Sequence, residues 1–255
     1  MSNVKSKFKV VLLAAIFCAG TNAAAACGTG QILFEDKFEK MQPSWDFDSN
    51  EPGRTFGPTG LVYKLMPGKA VGQLNQADLL TDYEVCATFQ IDVSSDKGET
   101  YFGVAFWFSD FDNGYWTYVY PTPGWGTYGV NRVQNGKTIR PVAERKSDAI
   151  RIGKNVTNEV SVVVKGNQAT MFINGRKIVE FAGHPPSGGT MFGFNIGRDK
   201  SDTGTSVLII KSMEVRAING EKLSEAQLKT LKVNSMSGNL RLRVPAGRVL
   251  TLPGR

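Results

Sequence analysis

Apolar and polar positions alternate with a period of two through much of the 255-residue chain. From Tyr83 to Ile91, Tyr83, Val85, Ala87, Phe89 and Ile91 share one face, and Glu84, Cys86, Thr88 and Gln90 share the other. Such alternation predicts a strand with one buried face. Shorter runs predict strands over 31–38, 61–66, 70–74, 191–196 and 207–215. Turn residues separate the runs: Pro67-Gly68, Asn135-Gly136, Lys165-Gly166-Asn167 and Asn174-Gly175. Strands at 8–12-residue spacing, with no helix-length pattern between them, predict an all-β sandwich or barrel.

The densest stretch runs from Tyr101 to Tyr128 and holds 12 aromatic residues in 28 positions. YFGVAFWF and YWTYVY flank Asn113-Gly114, so a hairpin turning there is expected. Strict alternation puts Val104, Phe106 and Phe108 on one face of the first arm, against Ala105 and Trp107. On the second arm Trp116, Tyr118 and Tyr120 oppose Tyr115, Thr117 and Val119. On this reading Phe106, Phe108, Trp116 and Tyr118 fill the interior. Trp107 and Tyr115 are left on the face open to a ligand.

The ends differ from the middle. Lys5, Lys7 and Lys9 precede the apolar run from Val10 to Ala19, and Ala23 to Ala26 offer an A-x-A cleavage site. This is the pattern of a signal peptide over residues 1–26, with an exported mature chain that is periplasmic or extracellular. The sandwich is expected over residues 28–217, followed by an extension over 218–255. Ser224 and Gln227 form a capping box, which predicts a short helix to about Lys232. NLRLRV then reads as an edge strand or a tail, and Pro245 and Pro253 favour the tail.

The charge distribution argues against a nucleic-acid partner. Without the leader the chain carries 27 basic and 23 acidic residues, and the four extra arginines all lie beyond residue 232. The body is therefore balanced, and the high pI belongs to the leader and tail.

Cys27 and Cys86 remain once Cys18 leaves with the leader. An even pair in an oxidising compartment favours a disulfide, worth roughly 4 kcal/mol in the chain-entropy model. Two alternatives stay open: free thiols, or a lipidated Cys27, although Ala24 stands where a lipoprotein signal carries leucine. Membrane attachment is expected only if Cys27 is lipidated.

Two motifs carry a family resemblance. EVSVVVKGNQATMFINGRKIVEF (Glu159 to Phe181) resembles the strand–turn–strand unit of laminin G-type domains. FGVAFWFSDFDNGYWTYVY, followed by GTYGVNRVQNGKT, resembles the concanavalin A-like lectin/glucanase superfamily. Within that superfamily the chain is most similar to bacterial secreted domains labelled 3-keto-disaccharide hydrolase or laminin G-like. The likeness covers roughly residues 31–217. It implies a jelly-roll sandwich of two antiparallel sheets, with a concave face that binds saccharides in many members. The superfold hosts lectins, glycosidases and structural domains alike, so activity must come from the site.

Catalytic motifs are sparse. Glycoside hydrolysis needs two carboxylates flanking the bond. The superfamily's E-x-D-x-E arrangement is missing from the sequence, and in FEDKFE the adjacent Glu35 and Asp36 point to opposite faces. Asp110 and Asp112 share a face if their strand continues, but DFDNG reads first as a turn. A calcium loop counted from Asp110 fails at Pro121, where a glutamate is required. His184 is the chain's single histidine and lies in the loop GHPPSGG, so neither a histidine-activated nucleophile nor a zinc site is expected. The charged loop Arg198, Asp199, Lys200 and Asp202 reads as solvated.

These readings lead to a non-catalytic carbohydrate or cell-envelope glycan binding module, without cofactor or metal. The candidate sugar-binding residues are Trp107, Asp110, Asp112, Asn113, Tyr115, Trp125 and Arg132, with Asn131 beside them. Aromatic rings stack on the apolar faces of sugars, and planar polar groups take their hydroxyls. The alternatives are a glycoside-processing hydrolase and a structural envelope protein without a saccharide ligand.

Overall fold

A computed structural model describes residues 27–45, 47, 53–75, 82–93, 100–122, 124, 126–188, 191–200 and 204–218. The expected leader, the expected helix after Ser224, the arginine tail and Trp125 lie outside the described residues.

Fourteen strands are formed among the described residues. The first five are Ile32–Asp36 (β1), Arg54–Thr55 (β2), Leu61–Leu65 (β3), Ala70–Asn75 (β4) and Tyr83–Val93 (β5). The aromatic stretch and its sequel give Thr100–Asp110 (β6), Asn113–Tyr120 (β7), Thr127–Gln134 (β8) and Lys137–Lys146 (β9). Then follow Thr157–Lys165 (β10), Gln168–Ile173 (β11), Arg176–Ala182 (β12), Met191–Arg198 (β13) and Ser206–Ala217 (β14).

They form two antiparallel sheets, as the period-two pattern predicts. An eight-stranded sheet runs β12-β11-β10-β5-β14-β3-β2, with β1 also on β14, and a six-stranded sheet runs β4-β13-β6-β7-β8-β9. The core lies between them. Tyr83, Val85, Ala87, Phe89 and Ile91 of β5 are all buried in it, as their alternation requires. Across the sandwich Phe89 stacks on Phe102 at 4.6 Å between ring centroids. Such packing of aromatics between sheets is the main apolar contribution to a fold of this kind.

Asn135-Gly136 and Asn174-Gly175 turn as expected, both residues of each pair having positive φ, the geometry that two-residue hairpins need. The aromatic hairpin turns elsewhere. Asp110 pairs with Asn113, so Phe111 and Asp112 make the turn and Asn113 already belongs to β7. The Asp110 carboxylate fixes this position by accepting from Asp112 N at 2.8 Å and from Asn113 Nδ2 at 3.0 Å.

One irregularity reverses the expected facing of the hairpin. Trp107 has φ 53°, and Trp107, Phe108 and Ser109 together stand opposite the single residue Gly114. A bulge shifts the alternation of every residue beyond it. Phe106 and Trp107 therefore both enter the core, and Phe108 faces outward. Tyr115, aligned with Phe106, also enters the core, so Trp116 and Tyr118 face outward. The left-handed backbone at a tryptophan costs about 1–2 kcal/mol. It is held by Tyr83, whose hydroxyl oxygen accepts the Trp107 N–H at 3.1 Å.

Cys27 and Cys86 are joined in a disulfide that ties the segment before β1 to the outer face of β5. Arg198 departs from the solvated loop expected of it: it is buried at the end of β13, its Nη1 donating to Ser206 Oγ.

Candidate functional site

The residues expected to bind a ligand fall into three places. Trp107 and Tyr115 are 2% and 1% exposed. They meet edge-to-face at 5.3 Å in the core between the two sheets, so both rings serve the packing of the sandwich. The bulge is the physical reason. Tyr115's hydroxyl accepts from His184 N at 2.7 Å, and Arg132 lies 5.7 Å from its ring. Arg132 therefore belongs to the core side of β8, away from the outer face.

Asp110, Asp112 and Asn113 gather at the hairpin end as a turn network. Asn113 Oδ1 accepts from Asn135 N at 3.0 Å, which links the β6–β7 turn to the β8–β9 turn. Trp125 itself is outside the described residues. Its neighbours Gly124 and Gly126 line an open cleft of about 580 Å³ between the β8–β9 region and β12, with Lys146, Arg176 and Lys177. Arg176 is paired there with Asp148 at 2.7 Å, and Lys177 with Glu180.

The outer face of the six-stranded sheet holds what strict alternation missed. Register aligns Gly193, Ala105, Trp116 and Asn131 in one row across β13, β6, β7 and β8. The next row is Asn195, Gly103, Tyr118 and Gly129, and the one after it is Gly197, Tyr101, Tyr120 and Thr127. Large rings alternate with residues of little or no side chain. A Cβ on Gly129 would lie 2.4 Å from Tyr118 Cζ, and one on Gly197 would lie 2.4 Å from Tyr101 Cζ. Both tyrosines thus lie down over glycines of the neighbouring strand, which only a missing side chain permits.

The same face carries buried polar atoms with no hydrogen-bond partner among the described residues. They are Trp116 Nε1, Asn131 Oδ1 and Asn195 Oδ1, on side chains 4%, 8% and 8% exposed. An unsatisfied buried donor or acceptor costs about 1–3 kcal/mol, so three on one face call for an explanation. A ligand that brings one acceptor and two donors would supply it. Burial, and then the neighbouring Tyr120, push the Tyr101 hydroxyl above its ordinary range, so it stays a neutral donor.

The opposite outer face, on the eight-stranded sheet, carries charge. Glu159 sits beside the disulfide, its carboxylate within 4.8 Å of both sulfurs. Sulfurs bonded to each other supply no thiolate, so these three groups do not make a metal site. Burial, then the charges of Glu84 and Glu214, raise Glu159 to about 7 against the opposing pull of Arg151 and Arg216.

Sheet order and the antiparallel pairing define the class of fold: a jelly-roll β-sandwich of two antiparallel sheets. Comparison with solved structures agrees. The chain is similar to the carbohydrate-binding module CBM66 from Bacillus subtilis, with a TM-score of 0.51 and 15% identity over 68% of this chain and 96% of that one. It is also similar to the VIP36 exoplasmic/lumenal domain bound to Ca²⁺ and Man3GlcNAc, with a TM-score of 0.53 and 13% identity over 76% and 94%. A third likeness is to a chain solved in work on endo-acting O-glycanases of the human gut microbiota, with a TM-score of 0.57 and 10% identity over 74% and 100%. At these identities the likeness is one of fold. No family model and no curated protein sequence matches the chain.

Proposed function

We propose that this chain is an exported, non-catalytic saccharide-binding module whose sugar lies on the outer face of β13, β6, β7 and β8. The observation that carries the reading is the set of three unpartnered, buried polar groups (Trp116, Asn131 and Asn195) among aromatic rings. Sugar hydroxyls donate and accept, and sugar C–H faces rest on rings, so one ligand class satisfies both halves of the surface. The carbohydrate-binding structures that share the fold support the reading. The signal-peptide pattern of residues 1–26, with Lys5, Lys7 and Lys9 before the apolar run Val10 to Ala19 and Ala23 to Ala26 after it, supports export.

The absence of catalysis rests on the carboxylates. Between Tyr101 and Phe108 and along the facing lengths of β13, β7 and β8 the outward positions hold no Asp or Glu, and Asp110, at the end of β6, is taken up in the turn by Asp112 N and Asn113 Nδ2. Glu144, on the neighbouring edge strand, accepts from Thr127 at 2.9 Å, and a single rim carboxylate is not the pair that hydrolysis requires.

A glycan array probed with the mature protein, followed by a product assay on each glycan bound, tests this. Binding without turnover is expected. Turnover that is lost in Asp110→Asn or Asp112→Asn would make the chain a hydrolase instead. A blank array would leave it a structural envelope protein.

A further inference from the structure

Charge is balanced over the body of the chain as a whole and uneven along it. Between Arg132 and Lys154 stand seven basic residues and two acidic ones. Most of that stretch borders the six-stranded sheet, with β9 as its edge strand. We infer that the β9 edge is a docking surface for an anionic lipid bilayer, met through cations and two exposed isoleucines. It is separate from the face assigned to the sugar.

The burial of β9 turns its side chains outward. Among its ten residues only Val142 is buried and only Glu144 is half-buried. Lys137, Arg140, Arg145 and Lys146 are all exposed. Among the described residues none of the four is held by a carboxylate. The two acids nearby are already engaged: Glu144 accepts from Thr127 Oγ1 at 2.9 Å, and Asp148 is paired with Arg176 at 2.7 Å. The edge thus carries positive charge that the protein leaves to solvent. A partner strand does not suit it. Pro141 has no N–H to offer, and the pairing of β9 with β8 shifts register twice, which breaks the row of bonds that strand addition needs.

Ile139 and Ile152 favour a membrane over a soluble polyanion. They are 48% and 47% exposed, and each stands among cations. Ile139 lies between Lys137 and Arg140, and Ile152 between Arg151 and Lys154, the last paired with Asp92. They mark the two ends of β9. Ile139 is near its start, and Ile152 reaches Gly126, whose carbonyl accepts from Ser147 N just after the strand. From Ile139 to Lys146 the strand spans about 23 Å, a line that a flat partner can follow. A polyanion in water offers charge alone. A bilayer offers headgroup phosphates for the cations and an acyl boundary for the isoleucines. Lys146 and Ile152 also line the open cleft beside Gly124 and Gly126, which gives one headgroup a cation and an apolar wall. Cys27 is held in its disulfide, so the contact is one of surface and not of a lipid on that thiol.

Flotation of the mature protein with vesicles tests this. Phosphatidylcholine vesicles with and without about one-third phosphatidylglycerol are compared at low and high salt. Binding should be at least tenfold stronger to the anionic vesicles and should fall away at high salt. Arg140→Gln with Arg145→Gln and Lys146→Gln should weaken it at least twentyfold, since each cation near an anionic surface is worth about fivefold. Ile139→Ser with Ile152→Ser should weaken it about tenfold at unchanged charge, and leave retention on heparin, a soluble polyanion, as it was. All five side chains are exposed, and near-ultraviolet circular dichroism checks that the variants fold. Arg241, Arg243, Arg248 and Arg255 are kept in every variant, so a difference belongs to the β9 edge. Equal binding to neutral and anionic vesicles overturns the inference. So does a glutamine variant that binds like the wild type, which would move the contact elsewhere on the chain. A serine variant that floats like the wild type would make the edge a polyanion site and overturn the membrane as its partner.

Discussion

Glu159 ties the stability of the fold to pH in a direction opposite to that of most carboxylates. Its carboxyl titrates at about 7 instead of an ordinary glutamate's 4.5, because burial and the charges of Glu84 and Glu214 oppose its ionisation. Between those two values the folded chain holds a proton that the unfolded chain has released. Stability must therefore fall as pH rises through this window. Full burial would set the fall at about 3 kcal/mol. The side chain is only half-buried, and solvent screening lowers the expectation to about 1–2 kcal/mol. Glu159→Gln keeps the shape and removes the charge. Urea unfolding of the wild type should show its midpoint dropping by about 0.5–1 M between pH 4.5 and pH 8 relative to the variant. The variant should be the more stable protein at pH 8. Parallel midpoints for the two proteins, or a wild type that gains on the variant with rising pH, would refute the reasoning.

Three further outcomes follow from the packing. Cys27→Ser with Cys86→Ser opens a bridge spanning 59 residues and should lower stability by about 4 kcal/mol in the chain-entropy model, read as a drop in thermal midpoint under non-reducing conditions. Asp36 is buried and accepts from Trp45 Nε1 at 2.8 Å and Phe38 N at 2.6 Å. Asp36→Ala should cost about 2–3 kcal/mol by leaving both donors unsatisfied, and chemical denaturation measures it. Trp107→Phe should lower stability through lost core volume, by about 1–3 kcal/mol, with no change in glycan affinity. A lost affinity with unchanged stability would return Trp107 to the ligand site.

What was legible in the chain followed from local rules. The alternation of Tyr83 to Ile91 needs no tertiary information, and Asn135-Gly136 and Asn174-Gly175 announce their turns through backbone preference alone. The cysteine pairing came from compartment and parity. The hairpin's facing was not legible, because one left-handed residue at Trp107 overrides the period for everything beyond it. That bulge is held by Tyr83, which lies 24 positions away in sequence, so no local pattern carries it. The turn at Phe111-Asp112 was hidden for a similar reason: Asp110's side-chain bonds outweigh the Asn-Gly signal three residues on. Asn195 went unseen because only strand order brings β13 beside β6. One signal was present and unread. Gly129 and Gly197 stand inside strands, where glycine marks the close approach of another group, here the rings of Tyr118 and Tyr101 laid on the sheet, while Gly103 and Gly193 admit the backbone carbonyls of Thr117 and Gln73.

On the proposed function, Trp116's indole N–H waits for a ligand on the sheet face. The chain has four tryptophans (Trp45, Trp107, Trp116 and Trp125), so a ¹H–¹⁵N spectrum gives four assignable indole signals. On adding a neutral oligosaccharide that the glycan array selects, the Trp116 signal should move downfield as it gains an acceptor. Trp45, already donating to Asp36, and Trp107, enclosed in the core, should stay in place. A spectrum in which Trp116 does not move while the oligosaccharide is bound would contradict the account.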